Sequence, residues 1–270
     1  MNSQQLRLNK FLAERLGVSR READELIASN KITVDGKVAA LGTRIDKTNK
    51  VCYNKKIVPF DTEFSYLAFH KPVGYVCSRR AQGHAPTIYD LLPSKYHKLK
   101  SVGRLDKDSS GLILLTNDGD FAFQMTHPKF RKTKVYEVEL DKPLEPLHQQ
   151  MISDFGVMLD DGPSQFKVFK NVSSAKKASF EGGPEPGKAR SSATTPVATG
   201  VVDAPRKRSF LADKVSYTVV LTEGRNRQIR RTFAALGYKV TKLHRTNFGK
   251  YELNDLKPGK YVIIEPWAQF

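Results

Sequence analysis

GRLDKDSSGLILLTNDGD, residues 103–120, joins an acidic, glycine-led loop to an unbroken apolar run. The run from Gly111 to Leu115 predicts a buried strand. Two metal-dependent chemistries use loops of this kind. Asp106, Asp108, Ser110 and Gly111 fit the opening positions of an EF-hand calcium loop. Asn117 stands where the closing bidentate Glu belongs, however, and a strand follows in place of a helix, so calcium is not expected. An aspartyl phosphotransferase sets its Asp-x-Asp loop after a buried parallel strand. Lys100, Ser101, Val102, Gly103 and Arg104 do not read as such a strand, and no partner lysine or acidic metal set follows.

Strands continue on both sides of this stretch. FSYLAFHKP (64–72) and the residues to Ser78 are apolar and turn-broken, and KVYEVEL (134–140) alternates as a half-buried strand does. KVSYTVVLTEG (214–224) and KYVIIEP (260–266) add further strands. Few long helices separate them, so the expected class is α+β with a mixed, largely antiparallel sheet, not a doubly wound one. One helix is expected in NRQIRRTFAAL (226–236). Ile229, Phe233 and Leu236 form its apolar face, Arg227, Arg230 and Arg231 share another, and Gly237 ends it.

Residues 1–62 read as a separate module. Leu8, Phe11, Leu12 and Leu16 share one helical face that stops at Gly17. Ser19 and Glu22 form a capping box for a second helix carrying Ala23, Leu26 and Ile27. KITVDGKVA then gives a hairpin turning at Asp35-Gly36. Arg7, Lys10, Arg20, Arg21, Lys31, Lys37 and Arg44 surround these elements, where a phosphate backbone could reach several together. Residues 63–270 form the second domain. Within it, 173–212 are rich in Ser, Ala, Lys, Gly and Pro, and predict a flexible insertion that cannot bury enough apolar surface to offset its ordering entropy.

The formal charge of +17, from 45 Lys plus Arg against 28 Asp plus Glu, favours polyanionic partners bound in a salt-sensitive way. Charge alone does not separate RNA from DNA or an anionic membrane. No apolar run approaches a bilayer span, and MNSQQLRLNKFL lacks a secretory core, so a cytoplasmic protein without a membrane partner is expected. Cys52 and Cys77 lack metal-like spacing and read as free thiols. His70, His127 and His244 form no ligand set, and Asp108, Asp118 and Asp120 read as turn and cap residues.

The helix–helix–hairpin order with its cations resembles the S-four RNA-binding domain. The run GRLD-x-D-[ST]-x-G-L-x-L-L-T-x-DG resembles the signature of ribosomal RNA pseudouridine synthases of the RsuA type. Three further pieces fit that family in order: HKPVGYVCS (70–78), KVY (134–136) and EGRNRQIRRTFAALGYKVTKLHRTNFG (223–249). The resemblance implies a monomeric, cofactor-free isomerase acting on ribosomal RNA or a ribosomal subunit precursor. It assigns Asp106 as nucleophile. Arg230 would pair with Asp106, and Tyr136 would stack on the target uracil and assist proton removal. Arg104 would fill the space left by a flipped uridine. Lys134, Arg227, Arg231 and Arg245 complete the RNA-contacting set, with phosphate attraction the simplest role for Arg231. The alternative is a non-catalytic RNA-binding or ribosome-assembly factor on the same scaffold. The intact set of Asp106, Tyr136 and Arg230 argues against it, since RNA binding alone does not call for a carboxylate in a basic cleft.

Overall fold

The computed structural model describes residues 5–61, 63–79, 83–171 and 215–266. The insertion expected over 173–212 lies outside the described residues.

At the N-terminus, strand β1 (Leu6–Arg7) runs into helix α1 (Leu8–Arg15), which closes at Leu16 ahead of Gly17. Helix α2 (Arg20–Ala28) opens on the expected capping box. The Glu22 amide donates to Ser19 Oγ at 3.1 Å, and the Ser19 amide donates to Glu22 Oε2 at 2.7 Å. Strands β2 (Ile32–Val34) and β3 (Lys37–Val38) meet at Asp35-Gly36, whose φ values of 50° and 81° are those a tight hairpin needs. Strand β4 (Arg44–Ile45) pairs antiparallel with β1, and β5 (Val51–Tyr53) and β6 (Lys56–Ile57) extend the hairpin to the order β3-β2-β5-β6. Leu8, Phe11, Leu12, Ala23, Ile27, Ile32, Ile45 and Val51 bury together as a core of their own.

The remaining elements are strands β7 (Tyr66–Lys71), β8 (Lys100–Val102) and β9 (Ser110–Thr116), helix α3 (Gly119–Thr126), and strand β10 (Lys134–Leu140). Then come helix α4 (Pro146–Gln150) and strands β11 (Val157–Leu159), β12 (Gly162–Ser164), β13 (Lys167–Lys170) and β14 (Val215–Leu221). Helix α5 (Gln228–Ala235) and strands β15 (Val240–Phe248), β16 (Tyr251–Glu252) and β17 (Tyr261–Ile263) close the chain. The main sheet has the order β13-β14-β10-β15-β9-β7-β17, with β8 on β9 and β16 on β15. Every pairing in it is antiparallel except β9 with β15. It is the mixed sheet of an α+β protein.

Alternation decides the layers. On β9, Ile113 and Leu115 face one core while Leu112 and Leu114 face the other, and Leu67/Phe69 against Tyr66/Ala68 repeat this on β7. Central strands covered on both faces therefore read as continuous apolar runs. On β10 the buried set Tyr136, Val138 and Leu140 alternates with half-exposed residues. Asp118 caps α3, its Oδ1 accepting from the amides of Asp120 (2.9 Å) and Phe121 (3.1 Å). Asn117, the residue that broke the calcium pattern, clips Ser65 and Glu63.

The N-terminal module touches the main sheet's surroundings through polar contacts. Lys100 Nζ donates to Val18 O at 2.7 Å and Arg79 Nη1 to Gly17 O at 2.8 Å. Lys10, expected on RNA, instead gives its ammonium to both oxygens of Asp120, at 2.6 and 2.8 Å. Among the described residues no helix is long and apolar enough to cross a membrane.

Candidate active site

The loop from Gly103 to Ser109 joins β8 to β9 and lies over the only parallel junction found in the described sheet. There Gly111 sits opposite Arg245 with φ 112°, and a Cβ on it would stand 2.2 Å from the Arg245 carbonyl oxygen. Only glycine permits this approach. On the far side of β15 the register with β10 slips between Val135 and Tyr136, a bulge that sets Arg245 opposite Tyr136.

The loop is held from beneath. Lys71 is fully buried, and its Nζ donates to the carbonyls of Ser109 (2.6 Å), Pro72 (3.0 Å) and Lys107 (3.4 Å). Burial draws its pKa down to about 8, against the pull of nearby Asp106 and Asp108. The Gly74 amide donates to Lys107 O at 2.8 Å, and Cys77 Sγ meets both the amide and carbonyl of Leu105 at 3.4 Å. From the other side Arg230 donates to Asp108 O (3.0 Å), Ser109 Oγ (3.4 Å) and Val240 O (2.9 Å). Asp106 is left partly exposed in the lining of a cleft of ≈ 390 Å³.

The structure gives Asp106 a different cation from the expected one. Arg227 Nη1 lies 3.6 Å from Asp106 Oδ2, while Arg230 donates to the main-chain oxygens of Asp108 in the loop and Val240 in β15. The cause is local. Arg227 does not lie on the helix face; it is the residue before α5, in the left-handed region at φ 46°, and this turns its guanidinium toward the loop. Arg231 is also not free for phosphate, because Asp160 and Asp161, beside the β11–β12 turn, hold both its terminal nitrogens. Gln228, Thr232 and Ser164 form a buried hydrogen-bonded group that fixes α5 to β12.

Tyr136, Lys134, Arg104 and Arg245 all line the cleft with Asp106. Tyr136 is 8% exposed, and Arg245 Nη1 reaches its hydroxyl at 3.5 Å. Arg245, expected on RNA, is buried under the tyrosine, its Nε bonded to Leu112 O at 2.7 Å. Lys134 Nζ donates to Glu223 O at 3.2 Å and lies over the Phe248 ring. Burial and the Arg245 charge lower its pKa to about 8. Arg104 is exposed at the mouth. In the N-terminal module Arg7, Arg20, Arg21, Lys31, Lys37 and Arg44 are exposed, and Arg7 stands directly across the strand pair from Arg44. Two like charges so placed repel unless an anion joins them.

His244 meets Ser110 and the His70 ring, and burial lowers its pKa. Among the described residues no His, Cys, Asp and Glu group is arranged to hold a metal ion. Lys71 does have a sequence signal, as a lysine that ends the otherwise mostly apolar strand YLAFHK.

A carboxylate in a cationic cleft, beside a buried tyrosine and on a loop pinned from two sides, calls for comparison with known enzymes. Residues 65–235 match the RNA pseudouridylate synthase family, and residues 6–51 match the S4 domain. The chain belongs to the RNA pseudouridylate synthase family. It is a pseudouridine synthase, an isomerase, with an S4 domain at its N-terminus. It is 34% identical over 259 residues to the ribosomal small subunit pseudouridine synthase A of Pasteurella multocida (strain Pm70), covering 95% of this chain and 94% of that one. It is 31% identical to the protein of the same name from Escherichia coli (strain K12), covering 95% of each. A crystal structure of a pseudouridylate synthase matches this synthase at a TM-score of 0.59 and 27% identity, over 96% of both chains.

Proposed function

We propose that this synthase isomerises one uridine of small-subunit ribosomal RNA, flipped into the cleft, with Asp106 as the nucleophile. The observation that carries the reading is the Asp106 carboxylate in a cleft that Arg104, Lys134, Arg225, Arg227 and Arg245 also line, with Glu223 as the second acidic residue. Binding RNA phosphates gains nothing from a carboxylate there. Breaking and remaking a base–ribose bond gains a nucleophile.

The reaction breaks the bond from C1′ to N1 of uracil, turns the base, and forms a bond from C1′ to C5. The C5 proton leaves and N1 gains one, so atoms and oxidation state balance and the chain's own side chains suffice. Tyr136, which lines the cleft beside Arg245, packs on the base and passes the C5 proton. Arg227 balances the charge of Asp106, and Lys71 and Arg230 keep its loop in place. Arg104 at the mouth supplies the contact that replaces the extruded base, an exchange that offsets a few kcal/mol of unstacking. The exposed cations of the S4 domain dock the same RNA elsewhere and raise the local concentration of the cleft. The names of the relatives given above, which specify the small subunit, support this choice of substrate. The enzyme works as a monomer in the cytoplasm.

The test is Asp106→Asn, assayed for pseudouridine and for RNA affinity on small-subunit ribosomal RNA. Isomerisation is abolished while affinity stays close to that of the unmutated protein. A variant that still makes pseudouridine removes Asp106 from the chemistry. Turnover also persists in chelator.

A further inference from the structure

Beyond the catalytic cleft the chain builds a second cavity, of ≈ 290 Å³, between α3, the segment entering β10 and the β15–β16 turn. Phe121, Met125, Phe130, Arg131, Lys132 and Tyr251 contribute to its walls. Those walls are tied together. The Gly249 amide donates to Thr133 O at 2.7 Å, and a Cβ on Gly249 would press on Met125 Cε at 3.0 Å.

Aromatic faces and cations alternate along this surface. The Phe130 ring lies 5.7 Å from Phe123 and 6.4 Å from His127, centroid to centroid. Lys129 Nζ sits 4.7 Å from the Phe130 centroid and 5.2 Å from that of Phe123. Phe123 is 45% exposed, which leaves part of its ring open to a partner. Among the described residues neither Arg131 nor Lys132 has a carboxylate partner. Arg131 turns the chain with φ 45°, a conformation that costs a non-glycine residue energy and persists where the surroundings impose it.

The surface is continuous with the cleft. Thr126 and Pro128 border the catalytic cleft, Phe130 to Thr133 border the second cavity, and Lys134 borders the cleft again. A chain whose target base enters the first would therefore pass over the second. Rings that offer a stacking face, with Arg131 and Lys132 beside them, match a base and its phosphate together. This is how proteins hold single-stranded nucleic acid. An acidic peptide would use the cations and leave the rings unexplained.

We propose that the Phe130 cavity is a stacking site for a nucleotide of the RNA strand adjoining the flipped uridine, with Arg131 and Lys132 on its phosphate. The proposal rests on the isomerisation reading for the position of the strand, and its test separates the two. The full-length protein carrying Asp106→Asn is titrated with labelled small-subunit RNA fragments in which each nucleotide near the target is made abasic in turn. Phe130→Leu, which keeps apolar bulk, weakens binding of intact RNA by about 5- to 150-fold, the range alanine substitution gives for one stacked base. Exposed Phe123→Ala acts in the same direction and does not threaten the core. With one particular flanking nucleotide made abasic, the protein with and without Phe130→Leu binds equally. Undiminished affinity in both variants, or losses that simply add at every abasic position, overturn the proposal; the first of these results points to a protein partner for the surface. Should the unmutated protein bind RNA without forming pseudouridine, the isomerisation reading fails while the abasic series still decides this one.

Discussion

Arg227 Nη1 lies 3.6 Å from Oδ2 of Asp106 and 3.2 Å from Oδ2 of Asp108, so one guanidinium bridges two carboxylates at the cleft. Asp108 thereby does more than shape a turn, since it shares the cation that faces the proposed nucleophile. Arg227→Gln removes one cation from the two carboxylates and leaves them to the charges of Lys71 and Arg230. The Asp106 contact is a partly exposed ion pair beyond hydrogen-bond reach, a class worth about 0.2–1 kcal/mol, so turnover should fall by up to roughly fivefold. Asp108→Asn leaves Arg227 to Asp106 alone and should cost less. Single-turnover assays of pseudouridine on the same RNA decide it; wild-type rates for Arg227→Gln would reduce the bridge to a surface contact.

Lys71 predicts a pH signature. Its folded pKa of about 8 lies below the ~10.4 of a free lysine. Below pH 8 the ammonium is charged in both states and its burial costs stability. Between about pH 8 and ~10.4 the unfolded chain binds more protons, so this group's contribution to stability rises with pH. Lys71→Met keeps the stem and loses the donors. Its unfolding free energy lacks that rise, and its loosened Asp106 loop turns over on the order of a hundredfold more slowly. Urea unfolding of both proteins at pH 7, 8.5 and 10 shows whether the difference between them changes in that window.

The parts of this molecule that were legible in the sequence are those fixed by neighbours in the chain. Ser19 and Glu22 announce a helix start, Asp35-Gly36 a hairpin, and KVYEVEL a half-buried strand, because each depends on a few residues of local backbone. The acidic loop and the glycine after it were equally visible. The partner of Asp106 was not. Helical spacing puts Arg227, Arg230 and Arg231 in one group, but the helix begins after Arg227, and carboxylates some seventy residues upstream claim Arg231. Lys71 and Arg245 look like surface cations in the sequence. They are buried because carbonyls of distant segments, those of Ser109 and Leu112, accept their protons. Long-range partners of this kind leave no periodic trace.

Gly111 is the backbone counterpart of that problem. Gly111→Ala would force a methyl to 2.2 Å from the Arg245 carbonyl oxygen at φ 112°, and neither strand can retreat without breaking the parallel junction. A loss of about 3 kcal/mol or more is expected, combining backbone strain with lost pairing. Ala substituted at Gly36, where nothing lies within 4 Å, carries only the strain of a positive φ and should cost less. Denaturant midpoints of the two variants rank them.

Salt dependence separates the cations that meet RNA from those spent within the protein. Arg21 and Lys31 are exposed on the S4 domain, while Arg231 is held by Asp160 and Asp161. Each cation that neutralises a phosphate steepens the dependence of log affinity on log salt by roughly 0.7–0.9. Arg21→Ala and Lys31→Ala should each flatten the slope by about that amount. Arg231→Ala should leave the slope unchanged and act only through the β11–β12 turn, with a small loss of stability, as exposed ion pairs give. Titrations of labelled RNA from low to physiological salt give the slopes directly, and a flatter slope for Arg231→Ala would mean that RNA displaces its two carboxylates on binding.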